Sequence, residues 1–137
     1  MNNPEQRVLD KQTQHLLDAA LAAQKNSYSP YSNFKVGAAI LANDNTTYHG
    51  CNVENASYPL GQCAEAGAIS SMVASGATKI EQVLIASPNN AFCPPCGGCR
   101  QKIKEFASES TLVHMATQDG QIKTVPFKDL LPLAFEL

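Results

Sequence analysis

The sequence predicts an α/β fold, a mixed sheet with helices on its faces, and three observations lead there. Two apolar, β-prone stretches flank a turn-forming Asn43-Asp44-Asn45 cluster near the start. Beyond them, helical runs alternate with short apolar strands. No repeat, low-complexity tract or linker divides the 137 residues, so one domain over 1–137 is expected. A hairpin followed by helix-separated strands calls for a sheet with both antiparallel and parallel pairs.

The elements follow in order. Asn3 before Pro4 is a good helix start, because proline at the first helical position gives up only a donor that the helix end leaves unused. Val8, Gln12, Leu16, Ala19 and Ala23 then recur at helical spacing until Asn26-Ser27 ends the run. Residues 34–42 and 46–53 read as a hairpin around the Asn43-Asp44-Asn45 turn. The Ala-rich stretch 63–75 after Gly61 is a helix with Gly76 as its stop. Residues 80–86 form a buried-type strand, 97–107 a second core helix and 112–117 another strand. Asp119-Gly120 turns into a fifth strand running through Val125. The apolar tail, 127–137, holds a short helix broken by Pro132.

Composition narrows the function. A net charge of −2 and a pI near 5.9 argue against a general nucleic-acid binder, which carries a basic face, and favour a small, weakly charged ligand. Residues 1–11 are polar, unlike a signal peptide, and the longest apolar run, 36–42, is far too short to cross a bilayer. No membrane contact and a cytoplasmic location are therefore expected. Five cysteines in such a chain point to metal binding or catalysis before disulfides.

Cys63-Ala64-Glu65 and Pro95-Cys96-Gly97-Gly98-Cys99-Arg100 carry the chemistry. Cys96 and Cys99, three apart on the first turn of a helix, face the same way and can reach one metal. Cys63, opening the other helix, supplies a third thiolate, and the two helix N-termini direct unpaired N–H groups at the ligands. A structural zinc closes with four protein ligands, whereas a catalytic one keeps three and leaves a position for water. With no fourth ligand near Cys63, Glu65 reads as a base beside the metal. Taken alone, the C-x-x-C pair also fits a structural zinc knuckle or a redox dithiol.

Cys93-Pro94-Pro95-Cys96 is a second C-x-x-C. Its two prolines keep both cysteines out of one helical turn, so Cys93 is expected in a loop. Cys51 is expected as a small buried residue in a strand. His15, His49 and His114 have no partner at ligand spacing and read as surface or satisfied core histidines.

Over nearly the whole chain the sequence resembles the small, homotetrameric, zinc-dependent cytidine deaminases. The resemblance lies in Tyr28-Ser29-Pro30-Tyr31-Ser32, in residues 33–39 (NFKVGAA) and 50–59 (GCNVENASYP), in the two metal motifs, in Arg100-Gln101, and in Leu130-Leu131-Pro132. It implies a three-layer αββαβαββ domain with a mixed five-stranded sheet, one Zn²⁺ per subunit, and hydrolysis of cytidine or deoxycytidine to the uracil nucleoside and ammonia. By the same resemblance Glu65 is the proton carrier and Cys63, Cys96 and Cys99 are the ligands. Phe34 lies near the pyrimidine and Asn52 and Glu54 bind the ribose. Ala56 and Tyr58 face substrate or a neighbouring subunit, Ala64 contacts the substrate, and Phe135 reaches another subunit's site. An amide and a carboxylate at alternate positions of a strand suit ribose hydroxyls on physical grounds as well, though an ordinary solvated strand end would look the same. By composition alone, Phe34 and Phe135 are core residues.

The chain departs from this family at Ala66, where three-cysteine members commonly carry an arginine beside the ligand sulfurs. Three thiolates leave net negative charge on a divalent metal. Either the helix N-termini compensate, or another cation such as Arg100 does. Two further readings stay open: a deaminase of a modified cytosine nucleoside, such as a blasticidin-type antibiotic, and a non-catalytic zinc module for assembly.

Overall fold

A computed structural model describes residues 9–137. Eight regular elements appear in the order α1 (Lys11–Gln24), β1 (Gly37–Ala42), β2 (Thr47–Cys51), α2 (Ala64–Ala74), β3 (Ile80–Ala86), α3 (Gly97–Lys104), β4 (Ala107–Ala116) and β5 (Ile122–Pro126). The strands form one five-stranded sheet in the order β2-β1-β3-β4-β5. Only β3 and β4 run parallel, joined through α3, and the other three pairs are antiparallel. The mixed sheet expected from sequence is thus present.

Alternation along the strands divides the core between two faces. Leu16 and Ala20 of α1 pack with Ala39, Leu41, Leu84, Ala86 and Ala116 on one side. Ala64, Ala68 and Met72 of α2 and Ile103 of α3 pack with Ala38, Ile40, Val83, Ile85 and Val113 on the other. Because β1 is covered on both sides, all six of its residues are buried. This puts the two cysteine-bearing helices in the same layer.

Several boundaries differ from the sequence reading, each for a local reason. The Asn3-Pro4 start and Val8 lie outside the described residues. Within them α1 begins at Lys11, where Asp10 caps it by accepting the Thr13 N–H at 2.7 Å. β1 starts at Gly37 and β2 stops at Cys51, which is half-buried at the strand end and not buried within it. Val53 makes only isolated bridges, to Tyr28 and Gln62. α3 ends at Lys104, three residues early, because Ala107 already pairs with Ile80. β4 accordingly starts five residues before the expected position. A bulge absorbs 108–111, and Thr111 Oγ1 stitches it by accepting the Ser108 N–H and donating to the Ile80 carbonyl, both at 2.8 Å. In the tail a single 3₁₀ turn, Phe127–Asp129, stops short of Pro132.

His15 and His49 are exposed, while His114 is buried with Nδ1 2.7 Å from Thr124 Oγ1 and Nε2 2.8 Å from Gln82 Oε1. Burial holds its pKa below the usual histidine value, as suits a neutral core histidine with both ring nitrogens partnered. Gly76 ends α2 in the left-handed region at φ +99°, which glycine adopts without strain.

Gly50 decides how closely α2 lies on the sheet. A Cβ there would stand 2.5 Å from the Ala68 nitrogen and 2.6 Å from the Ala64 oxygen, both backbone atoms that cannot swing aside. Gly50→Ala is expected to lower stability by about 1–3 kcal/mol, the range for overpacking a tight contact. Urea denaturation of the purified variant measures this. An unchanged midpoint would mean that α2 can back away from β2 at no cost.

Candidate metal centre

The cysteines converge because two helix N-termini do. Cys63 is the N-cap of α2 and Cys96 the N-cap of α3, both with extended backbone (ψ 158° and 168°). Cys99 is one turn into α3 and buried, and Cys96 is exposed. The three Sγ atoms lie within 4.8 Å of one another, with Cys63 and Cys96 at 3.8 Å. Disulfide sulfurs bond at about 2.05 Å. Two sulfurs each about 2.3 Å from a tetrahedral zinc stand ~3.8 Å apart. The spacing therefore fits thiolates sharing a zinc ion, and no disulfide joins these residues.

Local electrostatics support the same use. The Cys96 thiol is held below its ordinary pKa, first by the Cys99 backbone N–H at the open end of α3. Burial pushes the Cys63 and Cys99 thiols up. A cation must outweigh that burial, and a coordinated thiol is deprotonated outright. Cys93, in the loop before Pro94, is half-buried against the core formed by α2 and α3. Its thiol is raised mainly by burial, then by the negative charge of Glu65, Cys63 and Cys96. It is near the cluster yet outside the group of three.

Glu65 sits in the first turn of α2, two residues after Cys63, and is only 4% exposed. Burial pushes its carboxyl pKa up, while its own backbone N–H, the Cys99 thiol and the Lys102 charge draw it partly back. A carboxyl whose pKa is raised by burial, beside a metal site, is suited to exchanging protons.

Asn52 and Glu54 lie past the end of β2, not on a strand as the alternation suggested, and both are already occupied. Asn52 Oδ1 accepts the Val36 N–H at 2.9 Å and the Ser27 hydroxyl, and its Nδ2 donates to the Phe34 carbonyl at 2.7 Å. Glu54 accepts the Tyr31 and Ser32 N–H groups at 2.9 and 3.2 Å and the Ser32 hydroxyl. These bonds keep its pKa low, the Ser32 hydroxyl most of all. Together the two side chains shape the loop from Ser27 to Phe34. A partner so far along the chain, with no periodicity to announce it, left this scaffolding role out of the sequence reading.

The Glu54 carboxylate opens onto a cleft of 290 Å³ lined by Tyr31, Ser32, Asn55, Tyr58 and Gly61. The Tyr31 and Tyr58 rings stand 5.8 Å apart at 60°. Tyr58 is 74% and Phe34 39% exposed, so Phe34 is not the core residue that composition suggests. Ala56 is exposed on the same segment, whereas Ala64 is buried and offers only main-chain groups. Phe135, 70% exposed, is likewise outside the core, its carbonyl held by Gln101 Nε2 at 3.1 Å. Arg100 does not reach for sulfur: Nε donates to the Pro95 carbonyl and Nη1 to the Leu130 carbonyl, each at 2.8 Å.

Comparison with known proteins converges on one group. Residues 10–115 match the family described as "Cytidine and deoxycytidylate deaminase zinc-binding region". A cytidine deaminase from Sporosarcina psychrophila is 39% identical over 120 residues, covering 88% of each chain. The crystal structure of cytidine deaminase from Burkholderia pseudomallei superposes with a TM-score of 0.84 at 41% identity, covering 89% of this chain and 98% of that one. That from Mycobacterium tuberculosis gives 0.80 at 33%, covering 95% and 100%. Near-complete mutual coverage, the same layered fold and a three-thiol centre of zinc dimensions agree, and the chain belongs to the cytidine deaminase family.

Proposed function

We propose that the chain is the zinc-dependent enzyme that hydrolyses cytidine and deoxycytidine to uridine and deoxyuridine, releasing ammonia. The observation that carries this reading is the buried Glu65 carboxyl beside three thiols at zinc spacing. Cys63, Cys96 and Cys99 would hold the zinc, which when bound would supply the Lewis acidity that makes a water nucleophilic near neutral pH. Glu65 takes a proton from a water and passes it to the ring nitrogen next to carbon 4, then takes the remaining proton of the added hydroxyl and delivers it to the departing amine. Oxygen from water replaces nitrogen at carbon 4, and one carboxylate serves as base and acid in turn.

The nucleoside occupies the region between this centre and the cleft at Glu54. Phe34 borders the pyrimidine, the second Asn52 Nδ2 N–H and a Glu54 oxygen meet the ribose, and the Ala64 main chain contacts the substrate. Both keep the loop bonds that orient them: Asn52 Nδ2 gives one of its two N–H groups to the Phe34 carbonyl, and a carboxylate accepts about four hydrogen bonds, of which Glu54 uses three. Ala56, Tyr58 and Phe135, exposed in one chain, are covered by or contribute to neighbouring subunits of a homotetramer. The enzyme works in pyrimidine salvage in the cytoplasm. Among the described residues no helix is long and apolar enough to cross a membrane.

Ultraviolet assay of the zinc-loaded protein tests the reading against its rivals. Loss of cytosine absorbance with free cytidine and deoxycytidine is expected, and none with cytosine in single-stranded DNA. Activity confined to a blasticidin-type nucleoside would shift the substrate, and zinc content without any deamination would leave an assembly module. Truncation before Phe135 is expected to raise KM for cytidine by about tenfold with zinc content kept, the scale of one lost aromatic contact. Full affinity in the truncated protein would remove Phe135 from the site.

A further inference from the structure

Three thiolates carry one negative charge more than a divalent cation offsets. Two helix N-termini contribute only partial charges of about half a unit each. A full cation nearby would complete the balance, and the neighbouring candidates differ in what holds them. Arg100, next to Cys99, keeps its charge but is fixed in place by the Pro95 and Leu130 carbonyls. Lys104 is paired with Glu136 at 3.0 Å. Lys102 enters no ion pair among the described residues.

Lys102 also stands where a charge would be felt. It follows Cys99 by three residues, about one turn of α3. With Ala66, Gln62 and Gly98 it lines a groove of 570 Å³ between α2 and α3. Gln62 and Gly98 immediately precede two of the thiols, so the groove runs along the outside of the cluster. Ala66 projects only a methyl group into it, leaving the path open to a longer side chain. Glu105 lines the same groove without pairing with Lys102. The Lys102 charge already acts on Glu65 at this range.

We propose that Lys102 is a positioning residue of the metal centre: across the groove left open by Ala66, its ammonium offsets the negative charge of the three thiolates and so strengthens zinc binding. The inference rests on Cys63, Cys96 and Cys99 holding zinc, and charge rather than a hydrogen bond is the property that matters. Competition between the zinc-loaded full chain and a chromophoric chelator at fixed pH tests it. Lys102→Gln is expected to weaken zinc binding about threefold, the size of an exposed charge interaction, and Lys102→Glu about tenfold. Lys102→Arg should restore it, and the differences should shrink in high salt. Equal affinities in all four proteins would overturn the proposal, as would a loss shared equally by Lys102→Arg, which would mark shape and not charge. Thermal midpoints of the chelated proteins show whether any variant is misfolded, and in that case the comparison between wild type and Lys102→Arg in low and high salt decides. Absence of zinc from the wild-type chain would instead overturn the metal assignment itself.

Discussion

Glu65→Gln should retain zinc and fold while losing at least about a hundredfold in turnover, the lower end for general acid–base catalysis. Glutamine keeps the size of the side chain and some of its hydrogen bonding in a place that is only 4% exposed, so the first turn of α2 has no steric reason to move. It cannot accept and return a proton near neutral pH. The burial that raises the Glu65 carboxyl pKa would then have nothing to act on. Single-turnover deamination alongside metal analysis separates the two properties. Near-normal turnover at full zinc content would exclude Glu65 as the proton carrier, whereas zinc loss would make it a ligand.

Cys96→Ala should lose zinc and with it all activity, while Cys93→Ala should keep both. Removing Cys96 leaves two protein thiols where three stand within 4.8 Å, and it deletes the thiol that the Cys99 N–H favours as thiolate. Cys93 is outside that group and half-buried against the core, so its loss costs about 1 kcal/mol of packing and no coordination. Zinc content of the two purified variants tests this directly. The reverse pattern would move the third ligand to the Cys93 side of Pro94-Pro95.

The sheet and its helices were legible in the sequence because local signals and tertiary context agree there. The strand Ile80–Ala86 was read to the residue: an apolar run of that length, flanked by loops, has few other uses. α2 came within one residue at each end, since Gly76 marks a backbone turn that glycine tolerates best. The helix and strand around residue 107 were misjudged for the opposite reason. The polar run 107–111 has no strand pattern, and only pairing of Ala107 with Ile80 across a bulge makes it one.

The candidate site divides in the same way. Cys63, Glu65, Cys96 and Cys99 announce themselves through short spacings on helix starts, where residues one to three apart are neighbours by covalent geometry alone. Their mutual distance is a tertiary fact, set by Gly50 letting α2 lie on β2 and by α3 packing in the same layer. The loop bonds of Asn52 and Glu54, the diversion of Arg100 to two carbonyls and the shared groove of Ala66 and Lys102 join residues from different elements. Periodicity reports which way a side chain points within its own helix or strand. It does not report which distant atom waits there, and that is what the packing of the layers decided.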